Sequence, residues 1–492
     1  MIFSSIFSYM TASVENFIIV CLLTFVSLFL ISAFLFPAVI LKNRLATTLW
    51  GKFKDKGELK KFAFLAVIFG CIIGVYWGLR PLKDGIFGNI VGFGWQPIAK
   101  ILSLFLITPL VILYSKLVDK YPRNKVFYIL MAVYGTIAIL FAFAFSHKTL
   151  GLANTVESPA RIIGWLWYVY VESFGSLVVA LFWAFTSDIS MPEEAKRGFP
   201  IIALLGQTGN VVGPWIFRAK RFGFATSAPI VGMLAAVIFI IGCLLWVFIK
   251  VTPEDHMVGY EAAEEAQEEK VEKEKKEHKE PGFLDGLMLL LKHGYLLGIA
   301  AIIIFFEIIV TMLDFFFKVT AKKAFPLETD FSAYLADYGV WTGIVATTCV
   351  ILGINSIQRK MGMKASLILL PVLVGAAVIT LRVNPILSIA FWVMVFSKAV
   401  NYALNQPTLK QLYIPTSKDA KYKSQAWIEM FGSRGSKAIA SGINFVRKII
   451  GPNIYILISF TISLGLVGLW LFVALYVAKQ YNKAIKDNKI VC

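Results

Sequence analysis

Long apolar runs separated by short, lysine-rich breaks pattern this chain, and their length predicts α-helices that cross a bilayer, which needs about 20 apolar residues per helix. The first run, Phe17 to Ile40, is too long for the core of an ordinary secretory leader and has no basic segment before it. It therefore reads as a spanning helix rather than a cleaved signal. Six runs follow, over 62–79, 95–117, 126–146, 162–187, 199–217 and 228–250. Six more lie over 294–317, 332–354, 365–381, 385–406, 426–447 and 454–479, led in by an amphipathic stretch at Phe283–Lys292. Between the sets, the segment from Glu254 to Glu280 is dense in Glu and Lys and too poor in apolar residues to fold alone, so it reads as a solvated linker or exposed helix. The expected fold is an all-α polytopic membrane protein of two six-helix repeats plus one extra N-terminal helix. Its segments are 1–61 (extra helix and basic loop), 62–250 (first half), 251–283 (linker), 284–481 (second half) and 482–492 (basic tail).

Orientation follows from the basic loops. Lys42, Arg44, Lys52, Lys54, Lys56, Lys60 and Lys61 follow the first run and are expected on the cytoplasmic side. That places the alternate loops inside as well, with Lys116, Lys120, Arg123 and Lys125, then Lys196 and Arg197, Arg359, Lys360 and Lys364, Lys418, Lys421 and Lys423, and the tail lysines. Arg218, Lys220 and Arg221 run against this bias. The stretch Leu117-Val-Asp119-Lys120-Tyr-Pro-Arg123-Asn-Lys125 resembles the loop signature of the major facilitator superfamily, with Ser115 where that pattern has Gly. Gln358-Arg359-Lys360-Met-Gly362-Met-Lys364 occupies the matching place in the second half. Two parallel repeats around a midplane site are the architecture of an alternating-access transporter.

One run is unlike the others. Trp427 to Val446 carries Glu429, Ser433, Arg434, Lys437, Ser441 and Asn444 within roughly 140° of the helical wheel at 100° per residue, with Ile428, Phe431, Ile439, Ile443 and Val446 on the remainder. Charges at membrane depth are costly unless they line a water-filled cavity or pair with one another. A purely structural pairing inside the bundle and an interfacial amphipathic helix are the alternatives; the apolar flanks and the place among spanning runs weigh against the second.

Further ionisable residues sit at the ends and middles of apolar runs. Arg80, Lys83 and Asp84 close the first core run, and Lys100 lies one turn inside the next. Glu172 is mid-run, one turn from Ser176. Asp314 and Lys318 stand four residues apart, where they can also neutralise each other locally, and Glu307, two turns earlier, is placed to join them. Cations outnumber carboxylates in this set. Arg offers a bidentate fork and Lys a point charge for phosphate oxygens, so the cargo is expected to be a multiply charged anion. Tyr76, Trp77 and Trp95 lie close by in sequence and are candidates to stack on a base, worth ~1 to 3 kcal/mol; most membrane aromatics are interfacial anchors or filler.

Composition sharpens this picture. Apolar residues make up 58% of the 492, and the net charge is +18 although the linker is acidic; a basic membrane domain suits an anionic cargo, and positive-inside loops, which supply much of the excess, are the alternative explanation. The 5 cysteines stand singly and only 4 histidines occur, so neither a disulfide framework nor a metal site is expected, nor any cofactor. There is no phosphate-binding Gly-x-x-x-x-Gly-Lys-Ser/Thr loop; Gly432-Ser-Arg-Gly-Ser-Lys437 is too short and lies in an apolar helix, so transport would be driven by gradients.

Leu79-Arg-Pro-Leu-Lys-Asp84, Leu181-Phe-Trp-Ala-Phe185, Glu194-Ala-Lys-Arg197, Gln406-Pro-Thr-Leu-Lys410, Tyr413-Ile-Pro415 and Gly432-Ser-Arg-Gly-Ser-Lys437 together resemble the nucleotide transporters of obligate intracellular bacteria and plastids, the ADP/ATP translocases unrelated to the mitochondrial carrier. The likeness spans about 58–481. It implies a twelve-helix exchanger of ATP for ADP and phosphate in a bacterial inner membrane, with the family's important charged positions falling on Lys83, Glu172, Asp314 and Lys437. Asp314 stands where the family usually has Glu, Asn401 where a Lys commonly precedes the Tyr, and Gln406 where Asp commonly precedes Pro-Thr.

The expected function is therefore an ATP/ADP antiporter, with Arg80, Lys83, Lys100, Glu172, Asp314, Lys318, Glu429, Arg434 and Lys437 as the substrate-binding set. A monomer in the lipid bilayer is expected, without nucleic-acid partners. Proton-coupled import of a nucleotide or another organic phosphate is the alternative, with Glu172 or Asp314 carrying the proton. A membrane-bound transferase would want an acidic metal-binding loop; the only acidic loop is diluted with lysine, so an enzyme is not expected.

Overall fold

The computed structural model describes residues 53–257, 285–351, 356–417, 427–428, 432–487 and 490–491. The expected N-terminal helix, most of the acidic linker, the 418–426 loop and Glu429 lie outside these residues. The first half folds into α1 (Lys56–Phe87), α2 (Gln96–Lys120), α3 (Arg123–Ser146), α4 (Ile162–Asp188), α5 (Pro192–Ile216) and α6 (Ala228–Val251). The second holds α7 (Gly294–Ala324), α8 (Glu328–Ile351), α9 (Ser356–Val383), α10 (Leu387–Val400, continued by Gln406–Leu412), α11 (Ser433–Ile450) and α12 (Pro452–Asp487). A short helix, Asp285–Lys292, precedes α7 at the expected lead-in. Among the described residues there is no strand, as a chain that must satisfy its own backbone in lipid requires of anything but a barrel. Eight of the helical stretches meet the length and hydropathy of a membrane span.

The helices form two compact units that do not follow the sequence halves strictly. One runs to Val91, resumes at Ile107 through α6, and takes in Leu327–Val340. The other takes Gly92–Leu106, resumes ahead of α7 to Pro326, and takes Trp341 onward. Helices α2 and α8 are thus each divided between the units.

In the first unit α1 is the buried centre, and it packs most intimately on α5. The reason is a pair of small-residue seams. A Cβ on Gly209 would stand 2.2 Å from the Gly70 carbonyl oxygen, and one on Gly213 would stand 2.1 Å from that of Gly74. Lipid tails supply no hydrophobic drive between helices, so backbones that approach this closely gain van der Waals contact instead. Near the N-terminus of α1, Asp55 caps the helix by accepting from the Glu58 amide at 2.8 Å. Lys61, expected in a solvated basic loop, is instead fully buried, 3.0 Å from Glu194, while Arg197 reaches Glu58 at 2.8 Å. The loop-signature residue Arg123 pairs with Asp188 and donates to the Ala184 carbonyl at 2.9 Å, tying the start of α3 to the end of α4.

In the second unit α7 is the central helix, packed by α11 and α12. Helix α11 turns its polar face inward: Ser436, Ser441 and Asn444 are buried, while Ile439 is 59% exposed and Ile449 faces outward too. Lipid is the solvent for that outer face, so the apolar stripe belongs there. Ala440 makes a small apolar contact inward, against Ile308 and Met312 of α7. Asn444 bridges α7 and α12 by donating to the Thr311 carbonyl and accepting from the Tyr455 hydroxyl at 2.6 Å.

Candidate functional site

Within the first unit, the charges cluster where α1 loses regular geometry. Pro81 lies inside the helix, denying it one amide donor, and α1 passes into a π-helical turn at Gly88–Gly92. Such bulges are frequent at functional sites. Lys83, buried, pairs with Glu172 of α4 and lies 4.5 Å from the centre of the Tyr168 ring. Arg80 spreads over Trp77 and Tyr76, at 4.6 Å and 5.6 Å from their ring centres. Gly175 makes room for Tyr76, since a Cβ there would meet that ring at 2.1 Å. Ser176 donates to the Glu172 carbonyl one turn back on its own helix, at 3.0 Å.

Within the second unit, Asp314 is buried between Lys318 at 2.8 Å and Lys100 at 3.6 Å. The local pair foreseen on α7 is present, and a lysine from α2 has joined it. Glu307 does not join Asp314. It accepts from the Ser433 hydroxyl at 2.9 Å and pairs with Lys437 at 3.4 Å, because α11 packs its polar face against the earlier turns of α7. Arg434 is half-buried on the same helix. The ring of Trp95 is covered by Lys448, whose ammonium is 3.2 Å from its centre. The aromatics singled out for base stacking are thus occupied by cations on one face, a contact that gains strength away from water.

The fold is similar to those of solved membrane transporters. A bacterial homologue of the iron transporter ferroportin aligns with a TM-score of 0.58 over 87% of this chain and 100% of that one, at 11% identity. The nucleoside transporter NupG aligns with a TM-score of 0.55 over 85% of this chain and 98% of that one, at 15% identity. At such identities these likenesses establish the fold alone. The family model described as TLC ATP/ADP transporter matches residues 38–388. The chain belongs to the TLC ATP/ADP transporter family. Among its relatives, ADP,ATP carrier protein 1 of Rickettsia prowazekii is 26% identical over 88% of this chain and 96% of its own length. ADP,ATP carrier protein 4 of Rickettsia conorii is 23% identical over 88% of this chain and 94% of its own.

The matched region of the TLC family contains Arg80, Lys83, Lys100, Glu172, Asp314 and Lys318; Arg434 and Lys437 lie beyond it. Two charged groups that the reading of the sequence did not place in the site stand close to it. Glu307 is the partner of Lys437. Lys398 of α10 acts electrostatically on Asp314. Lys398 was visible as the one charge inside the apolar run 385–406. The partner of Glu307 was not visible, because its heptad spacing to Asp314 pointed along α7 rather than across to α11. Among the described residues no group of His, Cys, Asp and Glu has the makings of a metal site.

Proposed function

We propose that this chain exchanges ATP for ADP across a membrane by alternating access. One observation carries the reading: the intramembrane carboxylates Glu172 and Asp314 each hold a lysine from another helix, Lys83 and Lys100, in a member of a family described as ATP/ADP transporters. A carboxylate in such a pair serves as a stand-in anion. When a polyphosphate meets either pair, its oxygens take over that ammonium group, and the arginine of the same unit, Arg80 in the first and Arg434 in the second, adds a forked contact that a lysine cannot make. When the cargo leaves, Glu172 and Asp314 return to the lysines.

Exchange rather than one-way flow follows from the excess of cations. Reorienting without cargo leaves positive charge unpaired in a low-dielectric bundle, at several kcal/mol per buried charge, about the scale of a rate-limiting penalty. A returning nucleotide removes that cost. Phosphate travelling with ADP and a monomeric transporter belong to the same reading. In proteoliposomes holding the purified protein, labelled ATP should enter much faster when the lumen is preloaded with ADP than when it is empty. Equal rates from loaded and empty vesicles, rising with an imposed proton gradient, would replace exchange by proton-coupled import with Glu172 or Asp314 as the proton carrier.

A further inference from the structure

Lys398 is an intramembrane cation outside the ion pairs described above. It sits in the apolar helix Leu387–Val400, one turn before the π-helical turn Asn401–Asn405, and is half-buried. Among the described residues it makes no ion pair or hydrogen bond, although its charge acts on Asp314. An ammonium held at membrane depth without a direct ion pair is costly and marks a functional position. The packing explains its place. Helix α10 lies against α7, with the Phe391 and Phe317 rings 6.3 Å apart. Asp314 lies one turn from Phe317 on α7, and Lys398 two turns from Phe391 on α10, so both charges stand near this contact.

We propose that Lys398 joins Lys100 and Lys318 as the third cation of a phosphate-binding cradle around Asp314, and that it recognises the second phosphoryl group of a nucleoside di- or triphosphate. The inference rests on the nucleotide reading above. Lys100 and Lys318 share Asp314 and are placed to close together on one phosphoryl group once that carboxylate yields. Lys398 stands beyond ion-pair distance from Asp314, so a single phosphoryl group does not bridge it to the other two. A diphosphate, with a separate set of oxygens on each phosphorus, does. As a point charge on a flexible stem, lysine suits an oxygen cluster that arrives in more than one orientation.

The test uses full-length wild-type protein, Lys398→Ala and Lys398→Arg, reconstituted and also purified in detergent. Lys398→Ala should raise the KM for ATP and ADP by about tenfold, as loss of a charge-assisted contact predicts, with maximal rate little changed. Inhibition of uptake by inorganic pyrophosphate should weaken in parallel while inhibition by orthophosphate stays as in wild type. Lys398→Arg should recover most of the affinity, and Lys398→Ala should melt at or above the wild-type temperature because an uncompensated charge has gone. A KM within twofold of wild type, a fall in rate alone, equal weakening for orthophosphate, or a lower melting temperature overturns the cradle. Calorimetric titration of pyrophosphate into detergent-purified protein separates this from the nucleotide reading. Binding by wild type that Lys398→Ala loses supports the cradle even if wild type moves no nucleotide, which would sink the nucleotide reading alone; no binding by wild type overturns the cradle.

Discussion

Lys83 and Glu172 form an unequal ion pair: the lysine side chain is 6% exposed and the carboxylate 34%. Removing the carboxylate strands a buried ammonium, whereas removing the lysine leaves a carboxylate that is already one-third exposed, at 34%. Glu172→Ala should therefore lower the melting temperature, with a loss of about 3 kcal/mol or less, since partial exposure discounts the usual penalty for breaking a buried pair. Lys83→Ala should melt close to wild type. Equal destabilisation by the two variants would show that the pair is held by packing rather than by charge.

Transport should respond differently. Lys83→Ala and Lys437→Ala are each expected to abolish nucleotide uptake while inserting normally, and Lys437→Arg to restore it only in part, because a guanidinium is wider and forked. Near-normal uptake by either alanine variant at matched expression would make that lysine structural. Glu307→Gln should lower uptake less than Lys437→Ala, because it retains an oxygen for the Ser433 hydroxyl and removes only the partner of Lys437.

The seam between α1 and α5 tolerates no side chain. Gly209→Ala and Gly213→Ala push a methyl into carbonyl oxygens of α1 and should destabilise by about 1 to 3 kcal/mol or more, as overpacking does. Gly465→Ala, where a Cβ meets nothing within 4 Å, is the control and should leave the melting temperature unchanged. Thermal unfolding in one detergent compares all three.

Glu328, buried at the first turn of α8, accepts from the Ser227 amide at 3.2 Å, the Ser227 hydroxyl at 2.7 Å and the Ser332 hydroxyl at 2.8 Å. Arg218–Asp337 at 2.6 Å and Lys220–Asp330 at 2.7 Å add ion pairs between the same two segments. Glu328→Ala should cost about 1 to 3 kcal/mol through its unsatisfied donors, and Glu328→Gln clearly less. Lys220→Ala, at an exposed pair, should be nearly silent. Protease accessibility of the loop between α5 and α6 is a second readout, with Glu328→Ala cleaved fastest.

Asp55 carries a pH dependence. Its hydrogen bond from the Glu58 amide, with His256 3.6 Å away, holds its carboxyl below the ordinary carboxylate range. A depressed native value means that this cap is fully stabilising above the unfolded value near pH 4 and is lost as pH falls through the native one. Asp55→Asn, which retains an acceptor oxygen, should flatten the acid limb of the stability profile without much changing stability at pH 7. An acid limb identical to wild type would assign the effect to other carboxylates.

Hydropathy alone decided the class of this fold and the location of its helices, because the bilayer demands long apolar segments and forbids open backbone between them. The runs 162–187 and 228–250 became Ile162–Asp188 and Ala228–Val251 almost residue for residue. Charge in or just beyond the apolar runs likewise singled out Lys83, Glu172, Asp314 and Lys437 as candidates, since an ionisable residue at membrane depth stands out against any apolar background. Partners were a different matter. The wheel of α11 showed that Lys437 and Ser441 share a face, yet a helical wheel has no absolute direction, and only packing on α7 turned that face inward and set Lys437 beside Glu307. Helical spacing revealed the Asp314–Lys318 pair because four residues along one helix bring the two side chains together. It could not reveal Lys100, which is more than two hundred residues distant in the chain and reaches Asp314 only because the start of α2 belongs to the same compact unit as α7. The assignment of α2 and α8 partly to each unit came from the same source: local periodicity specifies a helix, whereas what that helix packs against is settled by surfaces that meet only when the chain has folded.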